Sequence, residues 1–399
     1  MQSGRLGFIL FIIRSRLRST RQKNLKMSTF RDLGIHKNYI KSLKELDIKT
    51  PTEIQEQAIP ILIKSKVDFV GLAQTGTGKT AAYGLPVLHK VDANKKSVQG
   101  LIIAPTRELV QQIKKQLFKF TKYNDKKIFV EGVYGGEKID IQISNLKRPT
   151  HIIVATPGRL VDLLDKNIID LKHINTLVLD EADEMLSMGF KKDLNIILDA
   201  TTKSARNTWL FSATMPTDLK AIVNRYISKD AARVEVNRNS IVNANISHHF
   251  VQTPIVDKAH TIMRLLDDRA DERGIIFCRT KAGTQALKQQ LQKEGFNVDA
   301  LEGDMTQKER DKVMRAFKNT NLQILISTDV SARGIDVNNL AFIIHHQLPE
   351  HIEYYTHRSG RTARAGKKGE SIALVLPSEL KKVAELEKAL GIKIKELTL

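Results

Sequence analysis

Apolar, β-branched runs of strand length alternate with helix-length segments twice along this chain, and few architectures accept that rhythm. In the first series the runs are 67–73, 101–105, 128–134, 151–155, 176–179 and 208–211, each ending in polar or glycine-rich residues. They are too apolar for half-exposed antiparallel strands, so they predict a mainly parallel sheet covered by helices on both faces. A second series, 274–278, 297–301, 322–327, 341–345 and 371–376, predicts a second α/β unit of the same kind. The expected organisation is an N-terminal extension over 1–26, an α/β domain over 27–236, a linker over 237–246, a second domain over 247–380, and a C-terminal helix with a short tail over 381–399. After Met27 there is no low-complexity segment and no repeat of short period.

Composition narrows the function classes. The 399 residues carry a net charge of +20, which points to a polyanionic partner such as nucleic acid. Seven of those charges precede Met27, so thirteen remain on the rest of the chain. A lone cysteine, Cys278, excludes an internal disulfide and a zinc site built on several cysteines; it is expected to be a small core residue. No apolar run reaches the roughly 18 residues of a membrane helix. Residues 6–13 are apolar and most of the positive charge follows them, a poor fit to the order of a signal peptide. The segment reads better as a disordered tail or an extended start, with translation beginning at Met27.

In open α/β sheets ligands bind beyond the carboxyl ends of the strands, and the unusual polar clusters fall there. Residues 73–80 read AQTGTGKT between a predicted strand and a predicted helix. Gly76 and Gly78 allow backbone N–H groups to turn toward phosphate oxygens, Lys79 reaches the outer phosphates, and the Thr80 hydroxyl suits magnesium. Ala73 stands where the general pattern has glycine. Residues 177–183 read LVLDEAD: Asp180 is placed for magnesium and Glu181 for an attacking water, although a strand ending in two acids can also cap a helix. Residues 357–364 read HRSGRTAR, and on a helix Arg358, Arg361 and Arg364 would share one face. Such a face is either a solvated or RNA-binding basic patch or a set of arginine fingers, and the phosphate loop in the other half favours fingers.

Further motifs occur in order: PTEIQ at 51–55, PTREL at 105–109, GG at 135–136, TPGR at 156–159, SAT at 212–214, STD at 327–329 and ARGID at 332–336. With the three clusters above they closely resemble the DEAD-box ATP-dependent RNA helicases, of bacterial type, over about residues 28 to 380. The resemblance implies an α/β fold of two tandem RecA-like domains, with ATP and Mg2+ in the cleft and RNA across both. Phe30 and Gln55 would hold the adenine, residues Thr75, Gly76, Thr77, Gly78, Lys79 and Thr80 the phosphates, and Asp336 the ribose. Lys79, Glu181, Arg361, Arg364 and His357 would be catalytic, with Thr80 and Asp180 on the metal. Ser212, Thr214 and Asp183 would couple hydrolysis to strand separation.

RNA contacts implied in the same way are Thr106, Arg107, Gly136, Thr156, Gly158 and Arg159 in the first half, and Arg279, Gly303 and Thr328 in the second. Hydroxyls, glycine amides and arginines suit the sugar-phosphate backbone of single-stranded and duplex RNA, independent of sequence. Departures from the family pattern are Asp47 and Ile48 before the Gln55 motif, Glu302 before Gly303, and Ser359 and Ala363 in the final motif. Glu302 is expected to place negative charge near RNA, and Ser359 and Ala363 to have little effect. The expected molecule is a cytoplasmic monomer without membrane attachment, working with ribosome-assembly or RNA-decay proteins. Rival readings are a non-hydrolysing RNA clamp, a DNA helicase of the same superfamily and a small-molecule kinase.

Overall fold

A computed structural model describes residues 28–398 apart from 75, 203–205, 237–243, 333–336, 338–339 and 364–366. The N-terminal extension, Thr75, Asp336, Arg364 and most of the expected linker therefore lie outside the described residues.

The first sheet comprises β1 (Phe69–Leu72), β2 (Gly100–Ile103), β3 (Val130–Val133), β4 (Ile152–Ala155), β5 (Thr176–Asp180), β6 (Asn207–Ser212) and β7 (Ala232–Glu235). Its order is β3-β4-β2-β5-β6-β1-β7, with every described pairing parallel. The second comprises β8 (Ile246–Gln252), β9 (Gly274–Phe277), β10 (Val298–Leu301), β11 (Ile324–Ser327), β12 (Phe342–His345), β13 (Gly369–Val375) and β14 (Ile394–Glu396), in the order β10-β11-β9-β12-β13-β8-β14. Renumbered from its own first strand, the second sheet has the same order as the first. The two halves are thus one topology built twice, with no short sequence repeat to announce it.

The apolar runs become strands buried on both faces. Along β2, Leu101 and Ile103 enter one core and Ile102 the other; along β5, Leu177 and Leu179 oppose Val178 in the same way. That alternation into two cores is why these runs are apolar throughout. Three strands escaped the sequence reading: β7 (ARVE), β8 (ISHHFVQ) and β14 (IKE). β7 and β14 are edge strands with exposed charged positions, and β8 alternates buried with exposed residues. Ile246, expected at the end of the linker, is the first residue of β8. The C-terminal tail beyond the Leu380–Leu390 helix closes the second sheet by pairing β14 with β8.

An aromatic group seats the phosphate loop. The ring of Tyr83, in the Lys79–Lys90 helix, lies 5.2 Å from that of Phe211 in β6, which lies 5.3 Å from Phe69 in β1. The helix after the loop is thereby fixed to the two strands whose ends carry the site.

Candidate active site

The phosphate loop leaves β1 and enters its helix through two left-handed glycines, Gly76 at φ +80° and Gly78 at φ +87°. A Cβ on Gly78 would lie 2.3 Å from Nε2 of Gln55, so this position needs glycine for both conformation and space. Lys79 opens the helix and its ammonium folds back to donate to the Ala73 carbonyl at 2.8 Å. Thr77 Oγ1 donates to the Gln74 carbonyl at 2.7 Å. Gln55 joins this loop to its own helix start: Oε1 accepts from the Thr52 N–H at 3.0 Å, and Nε2 donates to the Gly78 carbonyl at 3.0 Å. One N–H and one lone pair of that amide remain for an adenine edge.

Phe30 differs from expectation. It is only 3% exposed, packed in the core with Leu33 and Ile35, and offers no open face to a base. Asp47, where the family has glycine, adopts φ +58°, which explains the usual glycine; aspartate is among the residues that tolerate this region.

β5 carries Asp180 to the sheet edge. Its carboxylate is buried and accepts from the Tyr83 hydroxyl at 2.7 Å and the Glu181 N–H at 3.0 Å. Burial raises the Asp180 pKa from its ordinary value, against the pull of Lys79 and Tyr83. Glu181 then takes a left-handed backbone, φ +50° and ψ +50°, an uncommon cost for a side chain of its size and typical of functional positions. Its Oε2 is buried without a hydrogen-bond partner. Burial raises its pKa too, with Arg361 opposing the rise and Asp180 adding to it.

The next turn links to β6 and to the second half. Asp183 Oδ2 accepts from both the N–H and the hydroxyl of Thr214 at 2.8 Å, and the Asp183 N–H donates to Ser212 Oγ at 3.2 Å. From the other half, His357 pairs its Nδ1 with Glu184 and sets Nε2 4.0 Å from Asp183. Burial alone would lower the His357 pKa, but the neighbouring Glu184, Asp183 and Glu181 carboxylates outweigh it and raise it.

Arg358 corrects the expectation of a shared arginine face. The helix ends at Ser359, and Arg358 turns inward to a bidentate pair with Asp329 at 2.5 and 2.7 Å, while Arg361 lies beyond the helix with its Nε on the His357 carbonyl at 3.3 Å. Ser359 also does more than fill space: its hydroxyl meets Ser371 Oγ at 2.8 Å, and Ser371 meets the buried His345 ring at 2.9 Å. Ala363 stands at φ +54°, a conformation alanine adopts at a cost.

The expected RNA contacts gather along the strand ends but differ in availability. Thr106 caps its helix through the Leu109 N–H at 3.2 Å, whereas the Thr156 hydroxyl caps nothing and Gly158 borders open space. Arg107 lies over the Tyr134 ring and reaches the Gly136 carbonyl and Asp311. Arg159 is occupied by the Glu137 carbonyl and Gln142, each at 3.1 Å, and supports the Gly135-Gly136 loop. In the second half Arg279 donates to the Leu348 carbonyl at 3.2 Å, Lys281 approaches Gly303, and Thr328 bonds Ser331. Glu302 does not face outward: it is buried and accepts from the Asp304 N–H at 2.7 Å, so its charge is spent within its own loop.

Sequence reasoning missed three participants. Tyr83 lies one helical turn after Lys79, and that i, i+4 spacing was the available signal. Glu184 lies three residues after Glu181 in the same sense. Arg310, which meets Glu108 across the two halves at 3.3 Å, carried no signal beyond its place after a Thr306/Glu309 helix start.

Comparison with known proteins agrees with this geometry. Residues 52–222 match the DEAD/DEAH box helicase family model and 257–366 the helicase conserved C-terminal domain. The chain is 40% identical over 362 residues to a DEAD-box ATP-dependent RNA helicase CshA of Bacillus cereus, covering 91% of this chain and 68% of that protein. It is 41% identical over 359 residues to an ATP-dependent RNA helicase CshA of Limosilactobacillus reuteri, covering 90% and 71%. Among solved structures, S. cerevisiae Dbp5 bound to RNA and ADP BeF3 superposes with a TM-score of 0.85 at 29% identity, covering 92% of this chain and 95% of that one. Mss116p bound to ssRNA and AMP-PNP gives 0.84 at 31%, covering 95% and 81%.

Proposed function

This chain belongs to the DEAD-box ATP-dependent RNA helicases, and from that premise we propose how its own residues carry out RNA-dependent ATP hydrolysis and local unwinding. The family activity is that of an RNA-dependent ATPase on two tandem RecA-like folds. The proposed units are residues 27–236 and 246–396, the second taking in Ile246 at the start of β8 and the C-terminal helix and β14, with the linker ending before Ile246.

Glu181 carries the reading. A carboxylate with one buried, unpartnered oxygen, a raised pKa and a strained backbone is a base held ready for a water. In the reaction, water oxygen bonds to the γ-phosphorus as the bond to the β–γ bridging oxygen breaks. Glu181 takes the water proton, and Lys79 and Arg361 offset charge on the transferring phosphoryl group, with Arg364 proposed beside Arg361. The donors near the phosphates fit magnesium: the buried Asp180 carboxylate is bonded to Tyr83 of the helix that carries Thr80, and this cation is usually bound by one or two protein oxygens plus phosphates and water. Asp180 and Thr80 would hold it, and when bound it neutralises phosphate charge.

Gln55 would read adenine and Asp336 the ribose. RNA would lie across Thr106, Arg107, Gly136, Thr156, Gly158 and Arg159, and across Arg279, Gly303 and Thr328. Closure on RNA brings His357 and Arg361 against Asp183, Glu184 and Glu181, and the Asp183, Ser212 and Thr214 bonds transmit it. Among the described residues no helix is long and apolar enough to cross a membrane; the proposed setting is the cytoplasm, as a monomer, with ribosome-assembly or RNA-decay proteins as partners.

The test is Glu181→Gln. RNA-stimulated ATP turnover is expected to fall by about 10²-fold or more, with nucleotide binding retained. A variant that hydrolyses ATP at the parent rate removes Glu181 from the role of base.

A further inference from the structure

The helix Arg107–Phe120 begins at two of the proposed RNA contacts and exposes Gln111, Lys115, Phe118 and Lys119 along one side. From Arg107 to Phe118 it spans roughly 16 Å at 1.5 Å per residue. Two grooves follow this side. One, of about 620 Å³, lies near Arg107 and is lined by Glu108, Gln111, Lys115, Lys119 and Lys318. The other, of about 720 Å³, lies farther along and is lined by Leu46, Phe118, Lys119, Lys127 and Phe129. They share Leu46 and Lys119, so they adjoin, and together they make a trough along this side of the helix.

Its charge is one-sided. The two acids on its walls are already engaged, Glu108 by Arg310 and Glu45 by Lys122 and Tyr123. Lys115, Lys119, Lys127 and Lys318 have no acidic partner among the described residues. Two aromatic rings are left to solvent. Phe118 is 72% exposed, and Phe129 is 46% exposed while stacked on His151 at a ring distance of 5.6 Å. Exposed rings interspersed with unpaired lysines match the two needs of single-stranded nucleic acid, stacking and phosphate neutralisation.

We propose that this trough is a second RNA-binding site, which takes the single strand beyond the segment held at Thr106 and Arg107. Phe118 and Phe129 stack bases, and Lys115, Lys119, Lys127 and Lys318 neutralise phosphates. RNA fits better than an acidic protein segment because the trough runs on from the proposed RNA contacts and its lysines are spread along the whole length. The inference rests on the helicase reading above.

The test compares a single-stranded RNA of about six nucleotides with one of about sixteen, within the range of single-strand binding sites, using the full chain with a non-hydrolysable ATP analogue. The parent is expected to bind the longer RNA more tightly. Phe118→Ala is expected to reduce that length advantage about tenfold, the effect of losing one stacked base. Combined Lys115→Glu, Lys119→Glu and Lys127→Glu is expected to lower the log–log salt slope on the longer RNA by about two, at about 0.7 per phosphate. Short-RNA affinity and short-RNA stimulation of ATPase stay at parent level in both. The proposal is overturned if the length advantage is absent in the parent or survives in both variants. It is also overturned if an acidic phenylalanine-containing peptide binds this surface without displacing the longer RNA. A parent that no RNA stimulates would strike the helicase reading itself, a failure distinguishable by the short RNA alone.

Discussion

Removing one oxygen from Tyr83 tests how the site holds Asp180. Tyr83→Phe keeps the ring against Phe211 and deletes the hydroxyl, which donates to Asp180 Oδ2 at 2.7 Å and also meets the Thr80 side chain. Asp180 is 3% exposed and Tyr83 fully buried, so the lost donor is not readily replaced by bulk water. A hydrogen bond to a charged group contributes about 1.5–3 kcal/mol. In a unit of about 200 residues, where each kcal/mol moves the melting temperature by about 2–4 °C, the expected drop is about 3–12 °C. Trp209 is the only tryptophan and lies fully buried in β6, so its fluorescence follows unfolding of the first half alone. The assay is denaturant unfolding by this signal in metal-free buffer, repeated in an Asp180→Asn background. There Tyr83→Phe should cost about 1 kcal/mol less, because the bond is no longer charge-assisted. Unfolding within about 0.5 kcal/mol of the parent, or an equal cost in both backgrounds, would refute the assignment.

Gly78→Ala should weaken ATP binding: its left-handed backbone costs alanine about 1–2 kcal/mol, and the new Cβ displaces the Gln55 amide. A tenfold or larger rise in the KM for ATP is the expected result, and an unchanged KM would count against the loop geometry. For His357 the sign follows from its raised pKa. The attraction to Glu184 is fully present below the ordinary histidine value of about 6.5 and is lost as pH rises through the higher folded value. Closure of the two halves, followed by fluorescence energy transfer with RNA and an ATP analogue, should weaken over that window. Glu184→Gln should narrow the dependence, since Asp183 and Glu181 still act on the ring, and His357→Gln should abolish it; a pH response that persists in His357→Gln would place its origin elsewhere.

Short-range pattern determined much of this protein. Strands buried on both faces must be apolar throughout, so β2, β4, β5, β9, β11 and β12 were legible from the chain alone. The phosphate loop was legible because left-handed turns demand Gly76 and Gly78, and the acids after β5 because a strand end delivers them to the ligand edge. β7, β8 and β14 were not, since their stability comes from a neighbouring strand rather than from their own composition. Tertiary structure alone decided the identical strand order of the two halves. It also decided which arginine faces the site: Arg358 and Arg361 have the same chemistry, but the helix end at Ser359 and the carboxylate of Asp329 separate their fates. Tyr83 on Asp180 and His357 on Glu184 join residues far apart in the chain. Periodicity assigns a residue to a face, and only the packing of one element on another selects its partner.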